Sequence, residues 1–136
     1  MLQNYSQETL DIFSDAIKGY RKAFKALMTT EKRPELAAFW SAIKGDEQAG
    51  MFLKARVSRD WWLMSRAINH DENALKALRQ KDDKFDVSFV LACQDRVEGK
   101  YWLAQNGYSR FLPICEAVVE AMKKLDWEQV LYKPLG

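Results

Sequence analysis

The stretch "DVSFVLACQDRVEGKYWLAQ", Asp86 to Gln105, decides the fold class of this chain. Its first eight residues taken alone could form a strand, but apolar residues continue beyond them at spacings of three and four, as in an α-helix. These residues fall on two sides of the helix: Phe89, Val90, Cys93, Val97, Tyr101 and Ala104 on one, and Val87, Leu91 and Trp102 on the other. A helix that is apolar on two sides is typically buried, so this stretch predicts a central helix capped by Asp86.

The same helical spacing occurs on both sides of this stretch. The predicted helices run from a Ser6 cap to about Met28, through "PELAAFWSAIK" to Gly45, from an Asp46 cap to about Asn69, from Glu72 to Gln80, and from Ser109 onward. The tail from Trp127 is expected to fray or to pack back through Trp127 and Leu131. No convincing strand pattern is found, so we predict an all-α fold, a compact single-domain bundle of five or six helices over residues 1–136.

A short internal match is present in the sequence. The tetrapeptide "AIKG" occurs at residues 16–19 and again at 42–45. Its flanking residues do not match, so we interpret the match as a coincidence and not as a repeat.

The composition indicates a globular chain. Its 136 residues include 48% hydrophobic residues, three prolines and six glycines, enough apolar content for a core without disulfides or metal. Cys93 and Cys115 belong to no CxxC or Cys/His cluster, so we expect reduced core thiols. With no signal-peptide pattern and no apolar run near the ~20 residues that span a bilayer, we expect a cytoplasmic protein that does not associate with membranes.

The residues that could support catalysis or metal binding are few. His70 lies beside Asp71 and Glu72, but it has no second histidine or cysteine at ligand spacing. The carboxylate pairs one helical turn apart are better explained by solvated helix faces; they are Asp11/Asp15 and Glu116/Glu120. No phosphate-binding glycine loop or nucleophile elbow is present. We therefore predict no enzymatic activity, no cofactor and no metal.

Charge is distributed unevenly along the chain. Residues 18–66 carry eleven Lys/Arg against five Asp/Glu, a net +6, whereas the rest carries ten against fourteen, a net −4. This asymmetry predicts an electropositive side if the segment folds so that its charges cluster. A standard helix-turn-helix is not favoured, because Asp46 and Glu47 would occupy the start of its recognition helix and repel phosphate.

Four cations follow one side of the first predicted helix: Lys18, Arg21, Lys22 and Lys25. At about 100° per residue they lie within roughly a third of the circumference, opposite apolar residues that include Phe13, Ile17, Phe24 and Leu27. The pattern predicts a cationic strip on a helix whose other side is core. A merely solvated face explains the same pattern and stays open as an alternative.

The adjacent tryptophans of the third predicted helix cannot share one face. Trp61 belongs to an apolar stripe with Leu53, Val57, Met64 and Ile68. Trp62 lies about 100° away, one turn from Arg59 and one turn from Arg66. Such an indole could be a stacking platform or an interface anchor. The alternative is burial under a second core layer formed by the last helix or the C-terminal tail.

These patterns lead to two functional predictions. The first is a non-catalytic protein that associates with nucleic acid, DNA or RNA, or with a nucleoprotein complex, through backbone contacts without base-specific readout. Lys18, Arg21, Lys22 and Lys25 would contact phosphates, Arg59 and Arg66 would clamp phosphate or carboxylate, and Trp62 would stack or anchor. The second is a protein-interaction module, an inhibitor, adaptor or assembly subunit, that docks on an acidic protein partner through the same surface. Self-association is a third alternative.

Overall fold

The computed structural model describes the backbone of residues 2–132 and the side chains of residues 2–128. This part of the chain is helical and contains no strand. It forms nine α-helices: α1 (Gln7–Ile17), α2 (Arg21–Met28), α3 (Pro34–Ile43), α4 (Glu47–Phe52), α5 (Arg59–Ile68), α6 (Glu72–Gln80), α7 (Lys84–Cys93), α8 (Val97–Gln105) and α9 (Leu112–Tyr132). The predicted all-α class is confirmed, but the predicted number of five or six helices is wrong.

The difference in number arises because each of the three long predicted helices is two helices. The first breaks at Gly19, where φ is +98°, and the fifth at Asp95, where φ is +64°. The third passes through a π-helical turn, Leu53–Val57, and ends at Ser58, an extended residue whose side chain caps α5. Apolar spacing continues across each break because the helices on both sides are amphipathic, so periodicity alone cannot locate the breaks.

The central-helix prediction holds for α7 only. Its cap is Asp83, whose side chain accepts a hydrogen bond from the Asp86 backbone N–H at 3.2 Å, so the predicted Asp86 cap is wrong. Eight of the ten residues of α7 are buried, and the exceptions are Lys84 and Val87. By contrast, Val97 and Tyr101 of α8 are 77% and 65% exposed, because the turn at Asp95 folds α8 back against the outer side of α7, where it buries Gly99 and Leu103 instead.

Four helical hairpins share one turn geometry: α1/α2, α3/α4, α5/α6 and α7/α8. Each first helix ends in a buried alanine, a buried Ile or Cys, a polar C-cap and a residue with left-handed φ. These segments are Ala16–Gly19, Ala42–Gly45, Ala67–His70 and Ala92–Asp95, and their alanines are 26, 25 and 25 residues apart. In every turn the next residue donates its N–H to the carbonyl five residues back, as in Tyr20 to Asp15 at 3.2 Å and Asp71 to Arg66 at 3.0 Å.

The equivalence extends beyond the turn. Three residues before each alanine is a large buried side chain, seven after it is a small residue, and eleven after it is a fully buried leucine. In chain order, the large side chains are Phe13, Phe39, Met64 and Phe89. The small residues are Ala23, Ala49, Ala74 and Gly99, and the leucines are Leu27, Leu53, Leu78 and Leu103. The two "AIKG" segments therefore belong to a repeat of 25–26 residues, and their interpretation as coincidence is wrong. The repeat is hard to see in the sequence because most of its positions share size and burial, not residue identity.

The first helices of the hairpins form a closed ring. Helix α1 packs on α3, α3 on α5, and α5 on α7, and α9 closes the ring between α7 and α1. The chain at α9 repeats the buried positions of α7, which are Asp86, Phe89, Ala92 and Cys93, at a distance of 25 residues. The buried residues there are Phe111, Ile114, Ala117 and Val118. The core lies inside this ring of helices. There the phenyl centroid of Phe39 lies 6.4 Å from that of Phe13 and 6.3 Å from that of Phe89. Helices α2, α4, α6 and α8 form an outer layer.

Side-chain amides join neighbouring hairpins at their turns. Asn69 Nδ2 donates to the Ile43 carbonyl at 3.0 Å, and Gln94 Nε2 donates to the Ala67 carbonyl at 2.7 Å. Each amide is the C-cap of one inner helix, and each carbonyl belongs to the end of the preceding inner helix. The turns α3/α4, α5/α6 and α7/α8 therefore lie side by side along what we call the turn edge.

The C-terminal segment continues as helix. Helix α9 extends through Tyr132, and Trp127 on it is 67% exposed, so Trp127 does not pack back on the core as one alternative predicted. The side chain of Leu131 and residues 133–136 lie outside the described part. Within residues 2–132, no helix has the length and apolar character needed to cross a membrane.

Candidate binding surfaces

The four predicted phosphate-binding cations are exposed but do not lie on one helix. Lys18 is the C-cap of α1, and Arg21, Lys22 and Lys25 lie on α2, beyond the turn at Gly19. None of the four forms an ion pair with another side chain of residues 2–128. The predicted continuous strip on one helix is therefore wrong, whereas the exposure of its four members is as predicted.

Apolar side chains are interleaved with these cations. Tyr20, Phe24 and Met28 recur every four residues and are 61%, 36% and 49% exposed. Phe24 and Leu27 were both predicted to face the core. Leu27 is buried, as predicted, but the turn at Gly19 reorients α2 and leaves Phe24 exposed. We call the set Lys18, Tyr20, Arg21, Lys22, Phe24, Lys25 and Met28 the α2 surface.

Helix α2 begins without the stabilising features of two of its equivalents, α4 and α6. Tyr20 precedes it and provides no side-chain cap, and its first turn carries Arg21 and Lys22 but no acid. The equivalent residues Asp46 and Asp71 each accept two backbone N–H bonds. Losing such a cap costs about 0.5–2 kcal/mol, and cations at a helix start are opposed by the helix dipole. A local departure from stabilising rules of this kind is typical of a functional surface.

The two adjacent tryptophans have different environments. Trp61 is 5% exposed and its ring lies 5.2 Å from that of Phe39, so its predicted core position is confirmed. Val57, predicted in the same stripe, is 37% exposed because it lies in the π-helical turn before Ser58. Trp62 is half-buried and lines a cleft of about 550 Å³ between α4 and α5.

The cations that flank Trp62 are not the predicted pair. Lys54 Nζ lies 4.3 Å from the indole centroid and Arg66 Cζ lies 5.6 Å from it, whereas Arg59 is exposed at the start of α5. Lys54 reaches the ring because the chain folds back at Ser58. No helical spacing rule relates residues eight apart across such a break, so sequence reasoning missed Lys54. The partial cover of Trp62 comes from α4, which the sequence analysis did not consider.

Arg66 is engaged within the chain. Its Nε lies 2.9 Å from Asp71 Oδ2, and this hydrogen bond is the main cause of a lowered Asp71 pKa, followed by the Ala74 N–H. Asp46 and Glu47 line the same cleft. The carboxylates give the Trp62 cleft a mixed charge, which is less suited to a phosphate backbone than the α2 surface.

His70 has a structural position. It occupies the left-handed site of the third turn, with φ +69°, where the first two turns have glycine. Among the described residues, no group of three or more His, Cys, Asp and Glu side chains is placed to hold a metal ion. Cys93 and Cys115 are both buried free thiols, and burial raises the pKa of Cys93 well above its usual value.

Comparison of the chain with protein-family models, curated proteins and solved structures found no match in any of the three.

Proposed function

We propose that this chain is a non-catalytic binding protein that associates with nucleic acid, or with a nucleoprotein complex, through the α2 surface. The observation that supports this proposal is the combination of four cations without ion-pair partners in the described part and two exposed aromatic side chains, Tyr20 and Phe24, within one short segment.

Each component of the α2 surface has a part in this proposal. Lys18, Arg21, Lys22 and Lys25 neutralise phosphates and release counterions, which gives affinity independent of sequence. Tyr20 and Phe24 offer ring faces to unstacked bases, so a single strand fits better than a duplex. The contacts expected are to phosphates and to the faces of bases, and neither kind of contact is base-specific. Arg59 as an additional phosphate clamp stays a prediction.

Salt-dependent binding of a single strand tests the proposal. We expect a labelled oligothymidylate of about 15 nucleotides to bind at low salt, with an affinity that falls steeply between roughly 50 and 200 mM salt. Fluorescence anisotropy measures both. No binding at low salt, or an affinity that does not respond to salt, would contradict the proposal.

Charge reversal locates the binding surface. We expect Lys22→Glu with Lys25→Glu to abolish binding, and Lys22→Ala with Lys25→Ala to make the logarithmic salt slope shallower by about 1.4, since each lost phosphate contact contributes ~0.7. The matched control is Lys123→Glu with Lys124→Glu on α9, where both side chains are also exposed. Equal loss in both charge-reversed variants would indicate a general charge effect instead of an α2 site.

A second candidate function is favoured by the apolar stripe of the α2 surface. Tyr20, Phe24 and Met28 lie four residues apart, the spacing with which an amphipathic helix docks in a protein groove. An acidic protein partner would then be bound through the stripe, with the cations at its rim. Met28→Ala separates the two functions, because it removes an anchor for a protein groove and leaves both aromatic rings and all cations for a nucleic acid.

A further inference from the structure

Two clefts on the turn edge occupy equivalent places in the repeat. The first, about 550 Å³, lies between hairpins α3/α4 and α5/α6, and the second, about 500 Å³, lies between α5/α6 and α7/α8. Each cleft is lined by the alanine and the left-handed residue of one turn. It is also lined by two residues of the next turn: the amide side chain that ends the inner helix and the residue that precedes the outer helix. These residues are Ala42, Gly45, Asn69 and Asp71 in the first, and Ala67, His70, Gln94 and Arg96 in the second.

The first cleft has an apolar wall with unfilled space. Trp62 forms the wall, and the opposite helix presents Gly50, where the equivalent positions of the other hairpins hold the larger residues Phe24, Leu75 and Lys100. A Cβ at Gly50 would lie 3.4 Å from Trp62 Cδ1, so a side chain is absent at the point where it would cover the indole. The cleft therefore offers the Cδ1 edge of the indole to an incoming aromatic or aliphatic side chain, beside Lys54, whose Nζ lies 4.3 Å from the indole centroid.

The second cleft is cationic. Lys76 and Arg79 are exposed and have no ion-pair partner in the described part, and Arg96 occupies a capping position where the two preceding hairpins have aspartate. Arg96 is held loosely by Glu98 at 3.8 Å. The carboxylates facing this cleft are Asp71, already bonded to Arg66, and Glu72. The remaining positive charge suits a carboxylate, which arginine can bind in bidentate fashion.

The two clefts are adjacent and share Asp71, so the Arg66–Asp71 ion pair stands between them. Packed helices are spaced by about 8–10 Å. A chain in the extended polyproline II conformation has three residues per turn and advances ~3.1 Å per residue, so side chains three residues apart point the same way and reach neighbouring clefts. A nucleotide stacked on Trp62 would instead place its phosphate near Asp46, Glu47 and Asp71. The charges therefore favour a peptide over a nucleic acid here.

We propose that the turn edge binds an extended acidic segment of a partner protein. An aromatic or large aliphatic side chain of that segment packs against Trp62 in the first cleft, and a carboxylate about three residues away is held by Lys76, Arg79 and Arg96 in the second. This site is separate from the α2 surface and does not depend on the function proposed for it.

Synthetic peptides of about twelve residues test this proposal. Each carries one Trp, Phe or Leu and two Asp or Glu residues placed two to four positions away, and matched peptides have Ala for the apolar residue or Asn/Gln for the acids. Binding is measured by anisotropy and by the ¹H–¹⁵N signal of the Trp62 indole, assigned with Trp62→Phe. We expect the intact peptides to bind and to shift this signal, and both matched sets to bind about tenfold more weakly or not at all.

Variants on both clefts provide the decisive comparison. Gly50→Leu should fill the first cleft and Lys76→Glu with Arg79→Glu should reverse the second, each lowering affinity at least about tenfold. Lys123→Glu with Lys124→Glu on α9 is the control for the change in charge and should leave peptide binding unchanged, since both side chains are exposed and lie outside both clefts. If Gly50→Leu unfolds the protein, Gly50→Ala replaces it, since its added methyl group makes ordinary contact with Trp62.

Three results would overturn the proposal: no peptide binding, binding insensitive to both cleft variants, or an oligothymidylate that shifts the Trp62 indole where the peptides do not.

Discussion

Two glycines inside outer helices have opposite surroundings. Gly99 of α8 faces α7 so closely that a Cβ would lie 2.4 Å from the Ser88 carbonyl oxygen and 2.6 Å from the Ala92 nitrogen. Gly50 of α4 faces the open Trp62 cleft. The residues equivalent to Gly99 are all small, Ala23, Ala49 and Ala74, which allows each outer helix to cross its inner helix. The residues equivalent to Gly50 are all large: Phe24, Leu75 and Lys100.

Alanine at these two positions should therefore change stability in opposite directions. Gly99→Ala forces α8 away from α7 and is expected to lower the free energy of unfolding by about 2–3 kcal/mol. Gly50→Ala removes backbone freedom from a helix and is expected to raise it by up to about 1 kcal/mol. Urea unfolding of both variants checks this. A loss of stability in Gly50→Ala would show that its cleft has no room for a methyl group.

Asp86 is a buried carboxyl in the first turn of α7, 5% exposed. Burial, and then the nearby Asp83 and Asp60 carboxylates, raise its pKa to about 7 from an ordinary value of 3.8. Lys81 opposes the shift in part. The equivalent residues in the first three inner helices, Leu10, Leu36 and Trp61, are buried and apolar, so Asp86 stands at a core position.

The raised pKa of Asp86 predicts a pH-dependent stability. Between about pH 4 and pH 7 the folded state holds a proton on Asp86 that the unfolded state releases. The stabilisation of the folded state by this protonated carboxyl group is therefore complete below about pH 4 and is lost as the pH rises toward about 7. Asp86→Asn should remove this dependence and should be more stable than the natural chain at pH 8, on the order of 1 kcal/mol or more. Urea unfolding between pH 4 and 8 measures it, with exposed Asp126→Asn as the control. Parallel pH profiles for Asp86→Asn and the natural chain would refute the prediction.

At the scale of the elements, the helices were largely predictable and their ends less so. The Ser6 cap, α3 and α6 lie where the sequence indicates them, because caps and proline act locally. The breaks at Ser58 and Asp95 were not predicted, since the apolar residues before and after each break keep the spacing of one continuous helix. The separation of Tyr20 and Phe24 from the core follows from such a break at Gly19.

The α2 start gives a prediction that separates stability from binding. Tyr20→Asp copies the cap of α4 and α6 and should raise the free energy of unfolding by about 0.5–1 kcal/mol. It should also weaken oligothymidylate binding, because it removes an exposed ring and adds a negative charge beside Arg21. Thermal unfolding and anisotropy report the two effects. Tyr20→Asn is the matched control, since it caps without adding charge; unchanged binding in both variants would remove Tyr20 from the site.

At the scale of the whole molecule, α9 converts a row of hairpins into a ring. A linear repeat array is stabilised only between neighbours, so its ends can unfold separately. Here α9 packs on both α1 and α7 and joins the first hairpin to the fourth. We therefore expect the chain to unfold as one cooperative unit.

Ile114→Ala tests this closure. Ile114 is 2% exposed on α9, and its truncation should cost about 2–4 kcal/mol. Because the ring is closed, native-state hydrogen exchange should become faster in α1 and in α7 by a similar factor. The comparison variant is Leu78→Ala, buried between α6 and the core, which should affect both helices in the same way if unfolding is global. Faster exchange in α7 with unchanged exchange in α1 would indicate an open array.

The sequence by itself determined the helical class, the core position of Trp61, the absence of a long apolar span and the exposure of the α2 cations, because each follows from composition or from spacings within two helical turns. The tertiary structure decided the ring, the exposed stripe of Tyr20, Phe24 and Met28, the approach of Lys54 to Trp62, and the paired clefts of the turn edge. These features depend on how left-handed turns orient successive helices and on which distant segments then meet. Spacing along one helix contains no information on either.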